Sequence, residues 1–330
     1  MNIQCRAALF LLLILTVFRV AAEVEVVGFG FGLNTWVSEG QTKWRHDASA
    51  IDSDYGVPSS ELDYQGISSE IAELSGVLVF DHDDRVYITL GLGTINEGIL
   101  IDDDYWSATG AVNQSDSRTD AHRFSRTHSD ITGDGLFYLQ AEFSPGNMVF
   151  QPSFGRFRLS FGLQYWREKY EAQGIRQIEC TSTILLWCSP AGTSSRSGKT
   201  VITNTVSWTG LGASIDGQIP LFAGLAAEID FTFYPLMSLV NEDIHHLRPD
   251  LAQDPSIRMT GTGMGYDLTA GLRYRFTDNF SLNLQYRVWQ RWVKNQKITF
   301  YGAGGGYSSA RLMDFTSWRD GWTSGVELAF

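Results

Sequence analysis

From Trp318 to Phe330 the chain keeps a period of two. Trp318, Trp322, Val326, Leu328 and Phe330 share one face of an extended segment, and Arg319, Gly321, Thr323, Gly325, Glu327 and Ala329 share the other. Successive side chains of a strand point to opposite faces, so this spacing predicts a strand with one apolar face and one small or polar face. The pattern recurs upstream. Leu268, Ala270, Leu272, Tyr274 and Phe276 alternate with Thr269, Gly271, Arg273 and Arg275, and Leu282, Leu284, Tyr286 and Val288 with Asn283, Gln285 and Arg287. Segments at Phe157–Tyr165, Leu225–Phe233 and Val86–Leu92 repeat it, with weaker copies at Val24–Val37, Glu61–Phe80, Phe137–Phe143 and Val201–Ile219. Apolar-out, polar-in alternation is what a strand needs when lipid wets one face and a polar lumen the other. The expected fold class is therefore all-β, a ten-stranded antiparallel transmembrane β-barrel. Inward charges such as Glu228, Asp230, Arg273 and Arg287 are expected to pair inside a polar interior.

The connections alternate too. His82–Asp84, Pro220–Leu221 and Thr277–Asn279 read as tight turns, with Gly146–Gly155 a longer one on the same side. Between them lie polar stretches read as long external loops: Ser38–Ser60, Gly98–His128, Gln173–Lys199, Asp243–Ser256 and Gly302–Ser309. Short periplasmic turns and long outer loops are the outer-membrane pattern, and an even strand number puts both chain ends on the periplasmic side.

The N-terminus adds an export signal. After Met1–Arg6 comes an apolar run from Ala7 to Phe18, then Arg19 and the small residues Ala21-Ala22. This reads as a signal peptide over residues 1–22, with 23–330 as one barrel domain; a retained anchor is the lesser alternative, because the run is short for a bilayer-spanning helix. Losing Arg6 and Arg19 moves the formal charge from −12 to −14, which argues against a nucleic-acid partner. Cys180 and Cys188 remain, suited to one loop disulfide in an oxidising compartment. A two-cysteine metal site would need further ligands, and none lies between them. Aromatic content of 13%, with 33 glycines and 8 prolines, would also suit a soluble sandwich, so placement of the aromatics decides the class.

Two pairs of titratable residues at alternate positions, Asp102-x-Asp104 and Asp243-x-His245, stand where long strand-like segments run out. Residues i and i+2 of a strand point the same way, so each pair presents two groups to one cleft if the segments meet. From Val86 to Asp102 a strand tilted by ~45° rises roughly 37 Å, against an apolar band of about 25 Å, which lifts the acids above the membrane. Taken singly, the acidic triplet Asp102–Asp104 also reads as a solvated loop or a weak calcium site. Strict alternation raises an objection: Asp102 and Asp104 share parity with lipid-facing residues of their strand, and so do Asp243 and His245. One-residue bulges would turn them inward, and Gly98 and Pro235 are the places for them. His128 reads as a solvated loop histidine.

The terminal Phe330 resembles the closing signature of bacterial outer-membrane barrels. Glu61-Leu62-Asp63-Tyr64, Ile101–Trp106 and Asn241-Glu242-Asp243-Ile244-His245 resemble the omptins, ten-stranded outer-membrane proteases whose cleft faces an Asp-Asp pair with an Asp-His pair. The resemblance implies a bacterial outer-membrane endopeptidase, a monomer with its site facing the exterior, acting on peptides or surface proteins. It implies catalytic roles for Asp102, Asp104, Asp243 and His245. Asp243 would orient His245 and favour its protonated form. His245 would act as general base on a water shared with Asp102, with Asp104 supporting the opposite wall and the two acids sharing a proton. No metal or organic cofactor is implied.

Asn241 stands where omptins carry an acid that selects a basic residue, and Glu39 is a candidate second substrate-binding acid. Tyr165, Lys169 and Tyr170 match a lipid A contact on the outer wall, through which lipopolysaccharide would be required for activity; Thr203, Asn204 and Thr205 replace a basic residue of the family there. Outer-membrane lipid is the implied environment. A non-enzymatic barrel serving adhesion or small-solute passage is the alternative reading, and a lipid-modifying enzyme, lacking a Ser-His pairing, a third.

Overall fold

Lipid constrains a strand's outer face only over the bilayer, and nothing in the alternation obliges the strands to stop there. In the computed structural model, which describes residues 25–182 and 188–330, they do not stop. The expected signal segment lies outside the described residues. The strands are β1 (Val26–Asp47), β2 (Tyr55–Phe80), β3 (Arg85–Trp106), β4 (His122–Ser144), β5 (Val149–Phe150), β6 (Arg156–Cys180), β7 (Ser194–Phe222), β8 (Leu225–His245), β9 (Ile257–Arg275), β10 (Phe280–Tyr301) and β11 (Tyr307–Ala329). Ten are long, and β5 is a two-residue piece beside β6. A short helix α1 (Ala108–Asn113), capped by the Ser107 hydroxyl, follows β3.

Neighbours in sequence pair antiparallel, β1 pairs with β11, and a β4–β6 ladder bypasses β5 to close the barrel. The polar stretches read as long loops are largely strand. β1 runs to Asp47 and β2 begins at Tyr55; a 26-residue strand such as β2 rises about 60 Å, more than twice the apolar band. Above the lipid the outer face meets water and carries Glu39, Lys43 and Arg45, while the inner face turns to Trp44, Leu62 and Tyr64, so the apolar-out alternation is reversed there.

Leu33, Leu74, Leu92, Phe161, Leu211, Leu284 and Trp322 point outward and are exposed, as a lipid-facing surface requires. Inside, cross-lumen pairs fill the barrel. Arg319 of β11 meets Glu168 of β6 (Nη2–Oε1 2.7 Å), Arg287 of β10 meets Glu73 of β2 (2.9 Å) and stands 4.6 Å over the Trp36 ring, and Arg291 of β10 reaches Gln164 of β6 (2.5 Å) while pairing with Asp267 of the neighbouring β9 (2.6 Å). Nearer the turns Arg273 joins Glu228 (2.8 Å) and Glu327 (2.7 Å). Around and above the Arg319 level the lumen is packed with Trp36, Trp44, Tyr64, Trp166, Tyr170, Trp208 and Trp289, of which Trp36 and Trp166 lie just below it.

Two predictions follow from the wall and the filling. Leu92→Arg, about halfway up the lipid-facing surface, should cost about 2–4 kcal/mol, read from equilibrium urea titration of folding into phospholipid vesicles. Arg319→Met strands the buried Glu168 carboxylate and should cost about 3–5 kcal/mol in the same titration; a loss under about 1 kcal/mol would mean that Glu168 finds another partner or a proton.

Candidate active site

Bulges decide which side the candidate residues face. On β3, Leu92 is 57% exposed and Leu100 1%, although eight positions of strict alternation would put them on the same face. The register against β4 slips between Ile95 and Ile99, a stretch that holds Gly98. On β8, Phe233 is 40% exposed and Leu239 fully buried. There Leu211↔Leu236 and Ala213↔Phe233 leave Tyr234 and Pro235 opposite the single residue Gly212, and the β9 side slips between Tyr234 and Met237. Proline, with no N–H to give a ladder, suits that irregularity. Asp102 and Asp104 thus share the inward face with Leu100, and Asp243 and His245 the inward face with Leu239.

The two walls lie nearly opposite each other in the closed strand order. Ser60 of β2 faces Asp104 across the ladder, and its hydroxyl is in hydrogen-bond contact with both Asp102 and Asp104. Across the lumen, Asn204 of β7 donates its amide to Asp243 Oδ1. Ser256, just before β9, clamps the end of β8: its N–H donates to the Asp243 carbonyl (2.8 Å) and its Oγ accepts from the His245 N–H (3.0 Å). Arg248, ion-paired with Asp250 (2.6 Å), closes the mouth and acts electrostatically on Asp104 and Tyr55 from one wall and His245 from the other. Asp102 Oδ1, Asp243 Oδ2 and His245 Nε2 are buried with no protein partner. Polar atoms placed so are costly unless a ligand or solvent engages them.

The electrostatics follow from burial above the apolar band. Burial, then Asp104, Asp103 and Asp243, hold the Asp102 carboxyl well above the carboxylate range. Burial lifts Asp104 to about 6 against the Ser60 hydrogen bond. It lifts Asp243 to about 7 against the Asn204 hydrogen bond. Burial, with Arg248, His246 and His46, lowers His245 to about 4. The expectation that Asp243 favours a protonated His245 is therefore corrected: the carboxyl is buried and engaged by Asn204, desolvation dominates, and the imidazole is neutral. A neutral imidazole is the form able to accept a proton.

Other candidates fall elsewhere. Glu39 alternates with the buried Ser38 and Gly40 and points outward, exposed, so it does not line the cleft. Asn241 is fully buried on the inward face below Asp243, its Nδ2 3.7 Å from Met259 Sδ. Tyr165 and Lys169 face outward, with Arg167 exposed between them. Tyr170 faces inward at 1% exposure and donates to Glu168 Oε2 (2.5 Å), so it is no part of an outer-wall lipid contact. His128 sits on β4 opposite Arg176, on the face away from the buried Ser129 and Ile131.

Cys180 and Cys188 are joined, Cα to Cα 5.8 Å. Cys188 packs against Trp106 and Phe124, whose rings stack 4.0 Å apart just beyond Asp104. Sequence reasoning missed Ser60, set Asn204 on the outer wall although it is fully buried and holds Asp243, and missed Ser256 and Arg248. Register explains the first two, since Ser60 is the cross-strand partner of Asp104 and Asn204 that of Asp243.

No protein-family model matches the chain, and no curated protein sequence matches it. Among solved structures, the outer membrane protease OmpT from Escherichia coli is similar at a TM-score of 0.70 and 12% identity, over 93% of this chain and 98% of that one. The translocator domain of the autotransporter NalP from Neisseria meningitidis (TM-score 0.35, 10% identity, 98% and 97% covered) and Neisserial surface protein A (0.31, 9%, 92% and 97%) are more distant barrels. The chain has the outer-membrane β-barrel fold.

The Asp243 carboxyl yields a pH prediction. Its folded value lies above the ordinary one, so the folded state keeps the proton longer and stability falls as pH rises from about 4 through about 7. Asp243→Asn should relieve this, so its gain over the parent should be larger at pH 8 than at pH 4, by up to about 4 kcal/mol. Urea unfolding in detergent micelles at the two pH values measures it, and an equal effect at both would place the carboxyl in its ordinary range.

Proposed function

We propose that the chain is an outer-membrane endopeptidase that hydrolyses peptide bonds at the exterior mouth of its barrel, with no covalent enzyme intermediate and no metal. The observation that carries this reading is the inward turn of Asp102 and Asp104 on one wall and Asp243 and His245 on the other, with three of their polar atoms buried and unpartnered. The likeness in fold to OmpT supports it.

In this reading a water lies between His245 Nε2 and the Asp102 carboxyl. Neutral His245 takes a proton from the water as its oxygen attacks the scissile carbonyl carbon. The carbonyl electron pair moves to the oxygen. When the C–N bond breaks, the proton on His245 passes to the leaving amine. Asp104 lies close enough to raise the affinity of Asp102 for a proton, and the two carboxyls hold one between them and orient the water. Neither Glu39, which points outward, nor Asn241, which is neutral, supplies a carboxylate for a basic substrate residue. Tyr165 and Lys169 are the residues left for a lipopolysaccharide contact, and the enzyme acts as a monomer.

The filled lumen counts against solute passage. Arg319–Glu168, Arg287–Glu73 and Arg291–Gln164 cross it below the cleft.

The test is cleavage of a mixed peptide library by refolded protein, with and without lipopolysaccharide and EDTA, read by mass spectrometry. Asp102→Ala and His245→Ala should each lower kcat/KM by about 10²–10⁴, and EDTA should change nothing. Full activity in both variants would remove the assignment. Single-channel conductance in planar bilayers, with no cleavage, would mark a pore instead.

A further inference from the structure

Two tyrosines meet in the lumen beneath the four residues, one from each wall. Tyr64 lies on β2 one inward position below Leu62, the cross-strand partner of Asp102. Tyr170 lies on β6 opposite Asn204, the residue that holds Asp243. Their rings stack across the barrel, centroids 5.1 Å apart and planes 26° from parallel, with exposures of 0% and 1%.

The hydroxyls differ. That of Tyr170 is anchored: it donates to Glu168 Oε2 at 2.5 Å, lies 3.2 Å from Thr42 Oγ1, and Glu168 is itself gripped by Arg319. That of Tyr64 is buried with no protein partner, and among the charges around it Asp243 and Asp102, from opposite walls, act on it most. Stacking fixes the Tyr64 ring, so its hydroxyl is held in place without being consumed. A buried donor of this kind is usually satisfied in a folded protein, and here the two acid-bearing walls flank it.

We propose that the Tyr64 hydroxyl is a catalytic hydrogen-bond donor of the cleft, directed at the scissile carbonyl oxygen as that oxygen becomes an oxyanion. The inference rests on the peptidase reading and names the group that reading lacks. His245 removes the proton of the water, and the carboxyls orient it. The reading assigns the proton held by Asp102 and Asp104 to orienting the water, so no donor in it is committed to stabilise the negative charge that the attack leaves on the carbonyl oxygen. A donor held in place before the reaction does so without reorganising. Burial and the two acids keep the phenol protonated, so its proton stays available for donation. No proton leaves Tyr64: it donates a hydrogen bond throughout, and the proton balance stays between water, His245 and the amine.

Tyr64→Phe keeps the ring and its stack and removes only the hydroxyl. In refolded protein whose barrel still shows the heat-modifiable shift on gels, kcat for a cleaved peptide should fall about 10²–10³-fold, with KM within twofold. Binding of a peptide phosphonate, which mimics the tetrahedral oxyanion, should weaken by a similar factor, and binding of an uncleavable reduced peptide should not. A ring that only packs predicts no change in kcat. Retention of kcat within twofold, or a rise in KM alone, overturns the role of Tyr64 and leaves the peptidase reading standing. A wild-type protein that cleaves no peptide overturns both.

Discussion

A strand gives each side chain a choice of two faces and nothing between, and in this barrel one face is solvent or lipid and the other the lumen. That constraint governs the mouth of the molecule. Leu92 and Leu100 have the same parity, yet one meets lipid and the other the core, and the slip that separates them also carries Asp102 and Asp104 inward. The extra residue at Pro235 does the same for Asp243 and His245. Bulges re-aim side chains at the cost of local pairing. Without these two, four ionisable groups would stand on the outer wall.

The second constraint is the filling of the lumen. Buried ion pairs contribute little net stability unless well satisfied, and here they are: Glu168 accepts from Arg319 and from Tyr170, and Glu73 from Arg287 and Tyr138. They tie β11 to β6 and β10 to β2 across the barrel. The aromatic side chains interleave with this crossbracing, and Tyr170, held from below by Glu168, in turn supports Tyr64 and the floor of the cleft. Burial of the acids is thus a consequence of what lies beneath them.

The lower barrel was legible because lipid imposes its demand there: the segments Phe157–Tyr165 and Leu282–Val288 fall within long strands, and Leu268–Phe276 overruns its strand by one residue. The upper barrel was not, because above the lipid the alternation reverses to polar-out and apolar-in and the apolar-out marker fails, and Ser38–Asp47 and Gln173–Cys180 read as loop although they are strand. Parity alone would have placed Tyr170 inside, since Trp166, Glu168 and Tyr170 share a face, and Glu39 outside; positional resemblance to a family overrode that simpler rule. The protonation of His245 could not be read from neighbours in sequence, because it depends on desolvation by strands far along the chain. Tyr64 sat in plain view within Glu61–Tyr64, but nothing in the sequence shows that its hydroxyl is buried without a partner.

The hairpin of β6 and β7 continues past the level of His245. Ile202 faces that histidine, and the strand extends back to Ser194, roughly 20 Å higher along the tilted wall. The rim is therefore lopsided, a palisade on one flank beside the abrupt end of β8. For the proposed peptidase, a folded globule approaching from outside would be held off by that fence and a slack tail or a frayed loop would thread down beside it, so the rim would favour disorder in whatever reaches the histidine.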